Sequence, residues 1–152
     1  MLPKIHIVLG GIFALLMYFI FHITFFQASL IFLSSFLIDF DHYLYYIFIK
    51  KDFNLKNAHK WFVKKRYNWI ALSKEQRSKF KLPIFVFHGL EFFIILLLFY
   101  FLNKIFLGII MGILFHMFLD FAELYYFKMP LYSKFSQTYV HFKNKNKPEF
   151  NI

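Results

Sequence analysis

The sequence predicts an all-α fold: a polytopic membrane four-helix bundle of two helical hairpins, with a basic helical loop on the cytoplasmic side. Three observations predict it. Of 152 residues, 60% are hydrophobic and only 17% are charged, against about 25% in soluble domains. A soluble domain of this size cannot bury so much Phe, Ile and Leu. Four apolar runs each reach about 20 residues, enough to cross a bilayer as helix. Finally, 18 Lys and Arg stand against 8 Asp and Glu, and the cations are concentrated in one internal segment and near the C-terminal end. With no cysteine in the chain, a disulfide scaffold and a Cys-based zinc finger are excluded.

The first run covers residues 5–26. Its apolar stretch is too long for a cleavable signal peptide, and Phe26-Gln27-Ala28-Ser29 lacks the small-x-small cleavage pattern. The second run covers 28–49, the third 82–102 and the fourth 105–127. None contains an internal proline, since Pro83 sits in a first turn, where proline is tolerated. Barrel strands would alternate apolar and polar residues, which these runs do not do.

Charge sets the orientation. Residues 50–81 carry eleven Lys and Arg and the stretch from Lys128 five more, whereas the link around Gln27 has none. The positive-inside rule then places the loop and both termini in the cytoplasm of a multi-pass inner-membrane protein. The bundle and its loop occupy 1–128, and 129–152 form a basic cytoplasmic tail. Within the loop, Trp61, Phe62, Tyr67 and Trp69 alternate with Lys60, Lys64, Lys65 and Arg66. Such a mixture suits the surface of an anionic membrane. Membrane lipids with anionic headgroups are therefore the expected partners, with those four cations holding the headgroup. Topology already explains the charge, so nucleic acid is not expected. Ser73-Lys74-Glu75-Gln76 has the form of a capping box, which would start a second short helix.

The polar residues inside the apolar runs carry the chemistry. Asp39, Asp41, Glu91, Asp120 and Glu123 lie there, as do His6, His22, His42, His88 and His116. An unpaired carboxylate near mid-bilayer costs roughly 2.5–3.5 kcal/mol. Four of them would cost on the order of 10 kcal/mol, comparable with the whole stability of a domain. Apart from His22, all these groups fall in the cytoplasmic half of the bundle, although alternate helices run in opposite directions. Asp39 and His42, His88 and Glu91, and His116 and Asp120 are spaced i,i+3 or i,i+4, so each pair shares a helix face. Facing helices that present such pairs inward build metal sites in bundles. Imidazole with carboxylate suits zinc, with manganese or iron as alternatives. The candidate metal ligands are His6, Asp41, His42, His88, Glu91, His116 and Asp120, with Asp39 to orient or deprotonate a water. That is more than one four-coordinate zinc can use, so two or more ions are consistent with the count. Asp39 and Asp41 are two apart and a regular helix would separate them. Either one supports the other's site or the helix loosens there.

At these residues the chain resembles the small integral membrane proteins described as predicted membrane-bound metal-dependent hydrolases. The resemblance rests on His6-Ile7-Val8-Leu9-Gly10-Gly11, Asp39-Phe40-Asp41-His42 and His116-Met117-Phe118-Leu119-Asp120, and it runs from about residue 6 to 123. Ile38 stands where that family has proline. His88-Gly89-Leu90-Glu91 replaces a motif with a second histidine. The order of ligands is more loosely similar to the zinc-dependent phospholipase C and P1 nuclease group. These resemblances imply a metal-dependent hydrolase acting on a lipid or other membrane-associated phosphoester. Two other classes compete with it. One is a proton- or ion-coupled transporter, which needs polar lining through both halves of the membrane. The other is a non-catalytic assembly protein with a structural metal.

Overall fold

The computed structural model describes residues 3–150, so the extreme ends of the expected bundle and tail (1–2 and 151–152) lie outside the described residues. The described residues are all-helical, with no strand among them. Helix α1 (Pro3–Phe21) starts on a proline and stops at His22, whose φ of 50° turns the chain. Thr24 then caps α2 (Phe25–Leu37) in a capping box: its side chain accepts from the Gln27 N–H, and its own N–H donates to Gln27 Oε1. That box ends the first helix five residues short of the expected boundary at 26.

Helix α2 lies between α1 and α7 (Phe106–Tyr126), and small residues let the backbones approach. A Cβ at Gly10 would overlap Ser35, and one at Gly112 would overlap Ser34 and the Ile31 carbonyl. A Cβ at Gly108, one turn earlier, would make a tight 3.2 Å contact with Leu30. Gly108 and Gly112 are four residues apart, a small-xxx-small spacing that lets helix backbones approach closely.

The expected second span is two helices rather than one. The Asp39 N–H bonds the Phe36 carbonyl three residues back, not the Ser35 carbonyl four back, and the chain restarts as α3 (Phe40–Lys50). Lys51 turns it with a φ of 54°, and the Asn54 side chain caps α4 (Leu55–Ala71). The Ser73 capping box starts α5 (Lys74–Ser78).

The third span also differs from expectation. Residues 82–89 are not helical, and α6 runs only over Leu90–Leu102. The tail is the cause. It folds back as α8 (Tyr132–Phe135) and α9 (Gln137–Lys143) and supplies hydrogen bonds to this irregular backbone. The Asn144 side chain accepts from the Leu82 N–H and donates to the Leu82 carbonyl, at 2.8 and 2.7 Å. Gln137 accepts from the Phe85 N–H at 2.9 Å and donates to the His88 carbonyl. The Lys81 N–H reaches the Pro148 carbonyl. Residues 129–150 are therefore packed against the protein and not a solvated appendage.

Helices α1 and α7 are long and apolar enough to cross a bilayer. The 13 residues each of α2 and α6 span about 20 Å, short of a hydrocarbon core of about 30 Å. Ile38, Leu96, Ile110 and Ile113 form a buried apolar core. The outer faces are also apolar: Leu15 and Phe19 on α1, Leu98 and Phe101 on α6 and Phe118 on α7 are each more than half exposed.

Candidate metal centre

The break after α2 builds the site. It leaves the Ser35 carbonyl without its helical partner Asp39, and that carbonyl accepts from His116 Nδ1–H at 2.8 Å. The acceptance is possible because Gly112, one turn before His116, lets α7 sit against α2. His88 arrives from the opposite side, on the irregular segment before α6, at the end of a turn in which its N–H bonds the Phe85 carbonyl. Its Nδ1–H donates to Asp41 Oδ2 at 2.9 Å, while Gln137 holds its carbonyl. Gly89 permits this approach, since a Cβ there would meet Glu91 and Gln137.

Both imidazoles thus spend Nδ1–H on an acceptor, which in the neutral ring leaves a lone pair on Nε2. The two Nε2 atoms face each other 3.0 Å apart, and both rings are fully buried. Facing lone pairs repel unless a proton or a metal ion lies between them. Two carboxylate oxygens complete the group. Asp39 Oδ1 is 3.5 Å from His88 Nε2 and 3.6 Å from His116 Nε2. Asp120 Oδ2 is 3.6 and 3.2 Å from the same two atoms. Ligands held at about 2.0–2.1 Å on a tetrahedral ion stand about 3.3–3.4 Å apart. These five spacings, from 3.0 to 3.6 Å, bracket that value, and two carboxylates match the charge of a divalent ion. Buried His and Asp groups here can hold a metal: His6, Asp39 and His116; Asp39, His42 and His88; and His88, His116 and Asp120.

His6 stacks on His116, with ring centroids 3.9 Å apart, and its Nε2 lies 3.5 Å from Asp120 Oδ1. Neither of its ring nitrogens has a hydrogen-bond partner among the described residues, although the ring is fully buried. Such an omission costs about 1–3 kcal/mol. His6 is thus a further donor aimed at the cluster. His42 is held differently. Its Nδ1–H donates to Asp41 Oδ1 at 2.8 Å, its Nε2 accepts from Lys134 Nζ at 3.4 Å, and its ring stacks on Phe85.

Asp41 accepts from His42, from His88 and from the Phe87 N–H. Three donors satisfy the buried carboxylate, and it orients two imidazoles from behind. Both alternatives for the Asp39–Asp41 pair are realised: the helix breaks, and Asp41 supports the histidines. Glu91, expected among the ligands, lies elsewhere. Its carboxylate accepts from Ser136 Oγ and from the Gln137 and Thr138 N–H groups, which caps α9. Short helices leave these N–H groups without partners, and an acid is favoured there. Glu123 is paired with Arg66.

A cavity of about 390 Å³ opens beside the cluster and reaches Asp39 and His42. Phe62, Val63, Leu82, Phe85, Leu124 and Met129 give it apolar walls, and Lys65, Arg66, Lys81 and Lys134 line it with positive charge. Burial pushes the Lys65 ammonium below its ordinary pKa, and its Nζ lies over the Trp61 ring at 4.5 Å. Of the four cations expected to hold a headgroup, Lys65 and Arg66 line this cavity. Lys60 and Lys64 point into solvent from the other side of α4.

Sequence reasoning missed Lys134, Gln137 and the Ser35 carbonyl. Lys134 looks like any other topology lysine, and the carbonyl has no sequence signature. No family model, curated protein or solved structure matches the chain.

Proposed function

We propose that this protein is a membrane-embedded metal-dependent hydrolase that acts on a lipid or other membrane-associated phosphoester at the cytoplasmic leaflet. One observation carries the proposal: two carboxylate oxygens converge on two facing imidazole nitrogens, beside a cavity that is both apolar and cationic. The exposed apolar outer faces of α1, α6 and α7 support a membrane setting, because soluble monomers rarely expose large contiguous apolar patches. The basic segments support a multi-pass inner-membrane protein with both termini cytoplasmic. The Asp-x-Asp-His and His-x-x-x-Asp motifs support the hydrolase class by resemblance.

His88, His116, Asp39 and Asp120 would hold the ion, with His6 as a further donor, and imidazole with carboxylate suits zinc. A divalent metal there supplies Lewis acidity and acidifies water toward neutral pH. Asp41 fixes the tautomer of His88 and His42 by accepting at both carboxylate oxygens. Asp39 Oδ2 is buried without a hydrogen-bond partner among the described residues. In this reading that oxygen would take a proton from water while Oδ1 faces the histidines. The apolar walls receive acyl chain and exclude bulk water.

The test is turnover of phosphoester lipids by metal-loaded protein in detergent, with Asp39→Asn alongside. The proposal expects hydrolysis of at least one phosphoester and, compared at equal metal content per chain, a loss of about 10²–10⁴-fold in the variant, the usual contribution of a general base. Metal-loaded wild type that turns over no phosphoester contradicts it.

A further inference from the structure

Lys134 differs from the other lysines of the C-terminal segment. Lys128, Lys143 and Lys145 are exposed, whereas the Lys134 side chain is only 11% exposed. Its Nζ lies 3.1 Å from Asp120 Oδ2 and 3.4 Å from His42 Nε2, over the Phe85 ring at 4.8 Å. A lysine that only set topology would keep its ammonium in water, because burying that charge is costly. The fold instead carries it inward. Glu91 and Gln137 pin the start of α9, and α8, which bears Lys134, is the turn immediately before it.

The position has a chemical consequence. Lys134 lines the cavity at the point where the cavity meets the donor cluster, beside Asp39 and His42. An ammonium has three N–H groups, and Asp120 and His42 accept two of them. The cavity wall carries Lys65, Arg66, Lys81 and Lys134 against only Asp39 and Glu123 among the acids. A divalent cation in the cluster would add to that positive excess.

We propose that Lys134 is the anion-reading residue of the cavity, donating to a phosphate group of the ligand directly beside the metal position. The proposal deepens the hydrolase reading and rests on it for the cation next to Lys134. Phosphate is the chemistry a point-charge ammonium and a divalent ion share. The group can come from a lipid headgroup or from a soluble ester.

Metal-loaded wild type, Lys134→Met, Lys134→Arg and the exposed control Lys64→Met are titrated with inorganic phosphate by calorimetry, and metal per chain is measured on each sample. A second arm uses mixed micelles of phosphatidic acid against phosphatidylcholine. The expected result is at least a tenfold weaker phosphate affinity for Lys134→Met at unchanged metal content. Lys134→Arg should retain most of the affinity and Lys64→Met all of it. The same loss with phosphatidic acid supports the proposal with a lipid as the source, and a loss with inorganic phosphate alone supports it with a soluble ester. Wild-type phosphate affinity in Lys134→Met overturns the proposal and leaves the metal site standing. Loss of metal in that variant also overturns it, since Lys134 would then be only part of the cluster's scaffold. A wild type that holds no metal overturns the hydrolase reading and this proposal together.

Discussion

His88 and His116 face each other across 3.0 Å, yet they are delivered by opposite kinds of structure. The His116 wall is helix on helix. Gly112 brings α7 against α2, and the helix break at Asp39 frees the Ser35 carbonyl to orient the ring. The His88 wall is irregular chain, with a turn over 85–88, whose other backbone groups are met by side-chain amides from the tail, Gln137 and Asn144. Buried irregular backbone is tolerated only where protein groups satisfy its N–H and C=O groups. The comparison shows why the tail is packed here: without it, the segment carrying His88 would either become helix or leave buried polar groups unmet. One wall is rigid by packing, and the other depends on a few hydrogen bonds.

The sharpest way to break the packed wall is Gly112→Val. Inserting a branched side chain against the Ile31 carbonyl and Ser34 forces the helices apart. Overpacking of this kind costs about 1–3 kcal/mol or more. Thermal unfolding in detergent should fall accordingly, and metal should be lost because His116 moves away from Ser35. Asp41→Asn tests the support behind the facing histidines. The amide keeps the shape but loses the charge that two imidazoles donate to, so metal affinity should drop about 10–100-fold, read by chelator competition, with the fold intact.

Gln137→Ala probes the other wall. It leaves the buried Phe85 N–H without its acceptor, at a cost of about 1–3 kcal/mol. Hydrogen exchange should speed up over 82–89 and leave α2 and α7 unchanged, and equal protection in both walls would erase the distinction drawn here. The smallest effect is expected from Glu91→Gln. Removing this cap on α9 should cost about 1 kcal/mol or less and leave metal content untouched. Loss of metal in that variant would restore Glu91 to the ligand set.

The packed wall was legible in the sequence to a greater extent than the hydrogen-bonded one. Spacing put His116 and Asp120 on one face of one helix, and the structure has them 3.2 Å apart. The Asp39-Phe40-Asp41 interval signalled either a break or a supporting role, and periodicity could say no more. Glu91 was misleading because i,i+3 spacing from His88 implies a shared face only if both residues are helical. The helix begins at Leu90, so the spacing did not apply. Lys134 and the two amides carried no signal at all. Their partners are an irregular backbone and a distant carboxylate, and a basic tail reads the same whether it is solvated or folded back.

The most direct test of the central claim is the metal content of detergent-purified protein, measured beside His116→Ala and His88→Ala. The account expects about one or more divalent ions per chain in the wild type and none retained in either variant, each of which removes one of the two facing nitrogens. No metal bound and none taken up on reconstitution, or full content in both variants, would contradict it.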